Sequence, residues 1–231
     1  SCDGDLKIMG MDPFKQRADL MKEICFIADV AVLPKWIKVS EALRFTELAH
    51  PNFSIDKAKD FLSRTKVNMD HKVKELSKGM TAQLHLAIVM SIDAKLLVLD
   101  EPTLGLDILF RKEFYDNLLN DYFDNERTII ITTHQVEEIE HILTDVVFIR
   151  EGEIVLDANM EELTSQYFEV MVGPENYQAA LAQKPMTDRK VFGKNIMLFN
   201  SDSRDYLETL GDVQRPSISD LFVALMQEEK S

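Results

Sequence analysis

Leu96-Leu97-Val98-Leu99-Asp100-Glu101-Pro102-Thr103 decides the fold. From Lys95 to Leu99 the apolar run has no polar alternation, as in a strand buried on both faces of a parallel sheet. Two adjacent carboxylates and a proline end it. At the carboxyl end of a parallel strand, side chains open into the crevice where α/β proteins bind ligands. Two acids there can divide labour. Asp100 can hold a hydrated Mg²⁺, and Glu101 can orient and deprotonate a water. A bare Asp-Glu pair after a strand is an ordinary solvated loop, so its neighbours must decide.

Downstream, Leu104-Gly105-Leu106-Asp107 leads into an amphipathic stretch, Ile108 to Phe123. Thr128 to Thr132 is then a second buried strand, running into Thr133-His134. Strand, helix, strand implies parallel pairing with a right-handed crossover. His134 therefore opens on the same sheet edge as Asp100, where it can sense a phosphate. Upstream, Glu75-Leu76-Ser77-Lys78-Gly79-Met80 precedes a helical run from Thr81 to Ile92. Ser77 is a helix N-cap, and Gly79 lets a ligand approach the backbone. Free N–H groups and the positive dipole end make such a turn an anion site by geometry. Taken alone, it is simply a capped helix.

The rest of the chain supports an α/β reading. A short strand at Asp5 to Met9, a helix at Lys15 to Met21 and a strand at Ile24 to Ile27 open it. Ser40 to Leu48 and Ile55 to Leu62 carry helical spacing, separated by Pro51-Asn52. After His134 come a short helix at Gln135 to Leu143 and a hairpin turning at Glu151-Gly152. Beyond Met160 the pattern changes to strand 168–172, helix 175–182, hairpin 189–199, helix 204–210, a strand at Val213 and a helix 217–226. The expected architecture is a parallel-sheet domain over 1–158, with a helical subdomain over about 34–91, and a small α+β appendage over 159–231.

The chain has 231 residues and a formal net charge of −14. A surface that acidic excludes a general nucleic-acid binder and a protein held on anionic lipid by charge alone. Two cysteines make no disulfide scaffold. The other histidines show no metal-binding spacing, and the methionines read as core filler.

The motifs together resemble the nucleotide-binding domain of ABC transporters. Leu76-Ser-Lys-Gly-Met80 is similar to the signature motif, Leu97-Val-Leu-Asp-Glu-Pro102 to the Walker B strand, Leu104 to Asp107 to the D-loop, and His134 to the switch histidine. The resemblance runs from Gly4 to about Asp157, and implies a P-loop NTPase fold. It also implies ATP and Mg²⁺ as cofactors, and a head-to-tail dimer with a second ATP-binding subunit. Asp100 would serve the metal and Glu101 the attacking water. His134 would contact the γ-phosphate, and Ser77, Lys78, Gly79 and Asp107 would serve nucleotide across the dimer. A membrane-spanning subunit would dock near Asp29 to Phe45, where Val30, Val32, Leu33, Trp36 and Ile37 cluster. That places the protein in the cytoplasm, at the inner face of the membrane.

Three departures stand beside the resemblance. Lys78 and Met80 replace Gly and Gln in the signature, which is similar to the drug-, antibiotic- and polysaccharide-exporter branch. The Q-loop position carries Asp29, one methylene shorter than the usual Glu, as a second metal candidate. The Walker A loop, Gly-x-x-x-x-Gly-Lys-[Ser/Thr], is absent: no two of the eight glycines (4, 10, 79, 105, 152, 173, 193 and 211) lie five apart. The expectation is a domain truncated at its amino end, inactive alone. Competing readings are a non-catalytic ABC fragment and a non-transport ABC ATPase.

Overall fold

The computed structural model describes residues 4–27, 33–124, 126–200 and 204–227. The chain divides into two compact units, Ser1–His134 and Gln135–Ser231.

The first unit is built on a parallel sheet ordered β1 (Ile24–Ile27), β2 (Leu96–Asp100), β3 (Thr128–Thr132). Pairing runs Cys25↔Leu97 and Leu97↔Ile129, so β2 is central and Asp100 stands opposite Thr132. Leu97 and Leu99 are fully buried, while Leu96, Val98 and Asp100 alternate onto the more open face. Among the described residues the α-helices of this unit are α1 (Arg17–Glu23), α2 (Val39–Ala49), α3 (Ile55–Ser63), α4 (Lys78–Met90) and α5 (Ile108–Asn117). Helix α4 packs against α2, α3 and β1 and buries Leu84, Leu86, Ala87 and Val89. These residues face more than one way round the helix, which is why its sequence lacks a clean apolar stripe. Ser54 caps α3, its side chain accepting from Lys57 N.

Three expectations fail in this unit. Asp5 to Met9 is not a strand; only an isolated bridge, Ile8↔Met11, forms there. The run is short and has no partner strand among the described residues. Strand β3 is not buried on both faces: its residues alternate exposed and half-buried, with Ile130 exposed. It is the outer strand of the sheet, paired only with β2 among the described residues. The amphipathic stretch after Asp107 also ends early. Helix α5 stops at Asn117 and passes into a π turn, Leu118–Tyr122, closed by Phe123 N–H donating to Leu118 O at 2.8 Å.

The second unit begins with two 3₁₀ turns, Val136–Glu138 and Glu140–Ile142, where one short helix was expected. Next come the hairpin β4 (Asp145–Arg150) and β5 (Glu153–Asn159), then α6 (Met160–Gln166). A four-stranded antiparallel sheet follows, ordered β7 (Thr187–Val191), β8 (Lys194–Asn200), β6 (Tyr167–Val172), β9 (Gly211–Gln214). Helices α7 (Tyr177–Leu181), α8 (Arg204–Leu207) and α9 (Ile218–Gln227) complete it. Apolar clusters cover both sheet faces. Val146, Phe148, Leu163, Tyr167, Leu198, Ile218 and Leu221 form one, and Phe168, Val170, Val172, Met197, Phe199 and Leu207 the other. Because Val146 and Phe148 belong to the first cluster, the hairpin goes with the second unit. The division therefore falls earlier than the expected 158/159 boundary.

One charged group sits inside this unit. Glu169, only 3% exposed, accepts from Arg189 at 3.1 Å and from Gln214 Nε2 at 3.0 Å. Arg189 also reaches Asp220 at 2.9 Å, tying β7 to the start of α9. A buried carboxylate is tolerable only with such partners.

Candidate functional site

The site begins where β2 and β3 end together. Parallel register puts Asp100 beside Thr132, whose hydroxyl donates to Asp100 Oδ1. Glu101 N–H donates to Thr132 O at 2.9 Å, extending the ladder by one bond. Glu101 then leaves the strand with φ 46, in the left-handed region that costs about 1–2 kcal/mol for a residue with a Cβ. That turn aims its carboxylate across at the end of β3. Oε1 accepts from His134 N–H at 2.8 Å and lies 2.6 Å from His134 Nδ1; Oε2 accepts from Thr133 Oγ1 at 3.2 Å.

An ionised carboxylate can only accept, so Nδ1 of His134 carries the proton in this contact. The ring is thereby oriented with Nε2 lacking any partner among the described residues. Glu101 is mostly screened from solvent, whereas His134 is exposed. The carboxylate is thus positioned, and the imidazole is the part of the pair that can reach outward.

Among the candidate residues, the structure brings together Asp100, Glu101 and His134. Ser77 caps α4, its Oγ accepting from Met80 N–H at 3.2 Å. The N–H groups of Lys78 and Gly79 have no acceptor among the described residues, as in any first helical turn. A Cβ added at Gly79 would meet nothing within 4 Å, so the turn is open to a ligand. Asp107 caps α5, Oδ1 accepting from Phe110 N–H at 2.9 Å. Neither turn is hydrogen-bonded to the Asp100–Glu101–His134 group. Asp29 lies outside the described residues. Sequence reasoning missed Thr132 and Thr133; the signal was available, since hydroxyls at the end of β3 fall beside carboxylates at the end of β2 once the strands are parallel.

Among the described residues, no three His, Cys, Asp or Glu side chains converge as a metal cage. Mg²⁺ does not demand one. It is held by one or two carboxylates, waters and substrate phosphates. Asp100 fits that part, with Oδ2 uncommitted among the described residues. A triphosphate would need further donors, and the 231 residues contain no Walker A loop.

Comparison with known proteins shows what the chain is similar to. A family model described as "AAA domain, putative AbiEii toxin, Type IV TA system" matches residues 40–140, from α2 to just beyond His134. The ABC transporter ATP-binding protein YtrB of Bacillus subtilis is 25% identical over 156 residues, covering 66% of this chain and 53% of the relative. The lantibiotic transport ATP-binding protein SrtF of Streptococcus pyogenes is 38% identical over 103 residues, covering 42% and 44%. The chain spans about half the length of these relatives. A solved structure described as the ATP binding subunit of an ABC transporter superposes with TM-score 0.60 at 18% identity, over 75% of this chain and 69% of the other. Parallel strand order, adjacent carboxylates, the Glu101–His134 contact and these relatives make the chain similar to the ATP-binding proteins of ABC transporters.

Proposed function

We propose that this chain is the catalytic and signature part of the ATP-hydrolysing subunit of an ABC exporter. The observation that carries the reading is Glu101, placed directly after Asp100 and held in reach of His134. Glu101 takes the proton of the attacking water, Asp100 holds Mg²⁺, and Nε2 of His134 meets the γ-phosphate. When bound, Mg-ATP supplies the phosphoryl group and the metal's charge neutralisation. Ser77, Lys78 and Gly79 meet the ATP carried by a second subunit. The branch assignment rests on Lys78 and Met80 and on relatives such as SrtF, whose name refers to lantibiotic transport. Hydrolysis is assigned to a protein in which this domain is joined to a phosphate loop. Steady-state ATPase turnover that disappears in Glu101→Gln tests it there; unchanged turnover overturns it.

The same reading places the protein at the inner face of a membrane, docked on a spanning subunit. No helix among the described residues is long and apolar enough to cross a membrane. Trp36 is 72% exposed, and Phe45 and Leu48 are exposed on α2. An uncovered tryptophan and phenylalanine in an acidic chain suit a protein contact. A second reading is a non-catalytic regulatory domain, since the 231 residues by themselves hold no Walker A loop. Absence of nucleotide turnover even with such a loop attached would select it.

A further inference from the structure

The hairpin joining β7 and β8 turns through Phe192-Gly193, with φ 48 and φ 84. Two positive φ values define a two-residue type I′ turn, which favours Asn-Gly or Asp-Gly. The turn at Glu151-Gly152 has the same geometry, φ 51 and φ 89, with a charged residue in the first place. At 192 the strained, solvent-facing place is taken by a wholly exposed phenylalanine. Neither turn geometry nor packing asks for an aromatic side chain there.

The charge around the tip is equally out of character. Between residues 176 and 200 the chain carries Lys184, Arg189, Lys190 and Lys194 against a single acid, Asp188, in a protein of net charge −14. Arg189 is engaged by Glu169 and Asp220. Asp188 accepts from Tyr177 OH and from Asn195 Nδ2. Lys184, Lys190 and Lys194 are exposed and have no acidic partner among the described residues. Lys190 and Lys194 flank the turn from the two strands, each within two residues of Phe192.

We propose that this tip is a contact for an anionic lipid surface, Phe192 entering the headgroup layer and Lys190 and Lys194 pairing with lipid phosphates. A bilayer interface accepts a single aromatic ring without a matching pocket, and long lysines reach past the ring to the headgroups. A protein interface of standard size needs roughly 800 Å² from each partner, far more than a two-residue turn presents. The net acidity does not forbid the contact. Screening over about 8–10 Å leaves the projecting tip to its own local potential. Each lysine near an anionic leaflet is worth about fivefold in partition, so the contact is weak and acts on a protein already held at a membrane.

Vesicle co-flotation of the 231-residue chain tests it, with phosphatidylcholine vesicles containing phosphatidylglycerol against pure phosphatidylcholine. Binding should need the anionic lipid, saturate at millimolar lipid and fade at 0.5 M salt. Phe192→Asn, the residue the turn prefers, should raise or preserve the melting temperature while lowering partition severalfold. Lys190→Glu with Lys194→Glu should lower it at least tenfold. Equal flotation of Phe192→Asn, or no flotation of the parent chain on anionic vesicles, overturns the proposal. So does binding of a short DNA duplex at lower concentration than vesicles, which would make the tip a general polyanion contact.

Discussion

At the scale of single residues, Glu101 is a screened, firmly held group and His134 an exposed one. Glu101 is held by three donors and by its own strained backbone. On the proposed reading, Glu101 would have to give one donor up to take a proton from water, and the ring of the exposed His134 is the candidate to leave. In a protein carrying this domain and a phosphate loop, Glu101→Gln should retain ATP binding and slow hydrolysis by roughly 10²-fold or more, since an amide cannot accept the proton. A steady-state ATPase assay with a nucleotide-binding control reads both. Cys25 allows a second prediction. Burial pushes its thiol up to about 12 from a usual 9.0. It should resist iodoacetamide at pH 8 in the native state and label only in denaturant, as read by peptide mass spectrometry. Because the neutral thiol is favoured on folding, the contribution is present below pH 9 and is lost as pH rises through about 12.

At the scale of elements, the first turn of α4 is a capped helix start that the proposed function also uses. Ser77→Ala removes the cap and should cost about 1 kcal/mol in urea unfolding of the chain. Ser77→Arg should instead block ATP-driven dimerisation, measured by light scattering in the Glu101→Gln background. Unchanged dimerisation would leave Ser77 as a helix cap alone. Trp36→Glu should weaken co-purification with a membrane subunit and leave the melting temperature unchanged, since Trp36 is mostly solvent-exposed. The elements were legible wherever one signal dominated. Leu96 to Leu99 and the spacing of α3 gave strand and helix within one residue of their bounds. Helix α6 was missed because its seven residues are too few for periodicity. Its cap was readable: Asn159 accepts from Glu162 N–H while Glu162 accepts from Asn159 N–H. The exposure of β3 was illegible, because Ile129-Ile130-Ile131 looks the same whether a strand is central or outermost. In the site, Asp100, Glu101 and His134 were legible from order and strand ends. The left-handed turn at Glu101 was not, because a glutamate gives no local hint of positive φ.

For the 231 residues taken alone, the lack of a Walker A loop outweighs the paired carboxylates. That loop offers a cradle of N–H groups, a lysine and a hydroxyl. Charge-assisted contacts are worth about 1.5–3 kcal/mol each, so losing three removes about 4.5–9 kcal/mol, or three to six orders of magnitude in affinity. Calorimetric titration of the 231-residue chain with Mg-ATP should show no micromolar binding. Micromolar affinity, or turnover abolished by Glu101→Gln, would refute this account.

The insertion of α2, α3 and α4 between β1 and β2 bears on how the chain reaches this structure. Ile24 pairs with Leu96, so β1 cannot join the sheet until a loop of roughly seventy residues closes. The helices inside that loop make contacts close in sequence, which form fast, whereas the parallel ladder is late and slow. Nascent chains should therefore carry a formed helical subdomain before β1 joins the sheet. Leu84→Ala in α4 should slow refolding, while Cys25→Ala in β1 should chiefly hasten unfolding. Stopped-flow chevrons of the two variants would separate these limbs, and equal effects on both would place sheet and helices in a single folding nucleus.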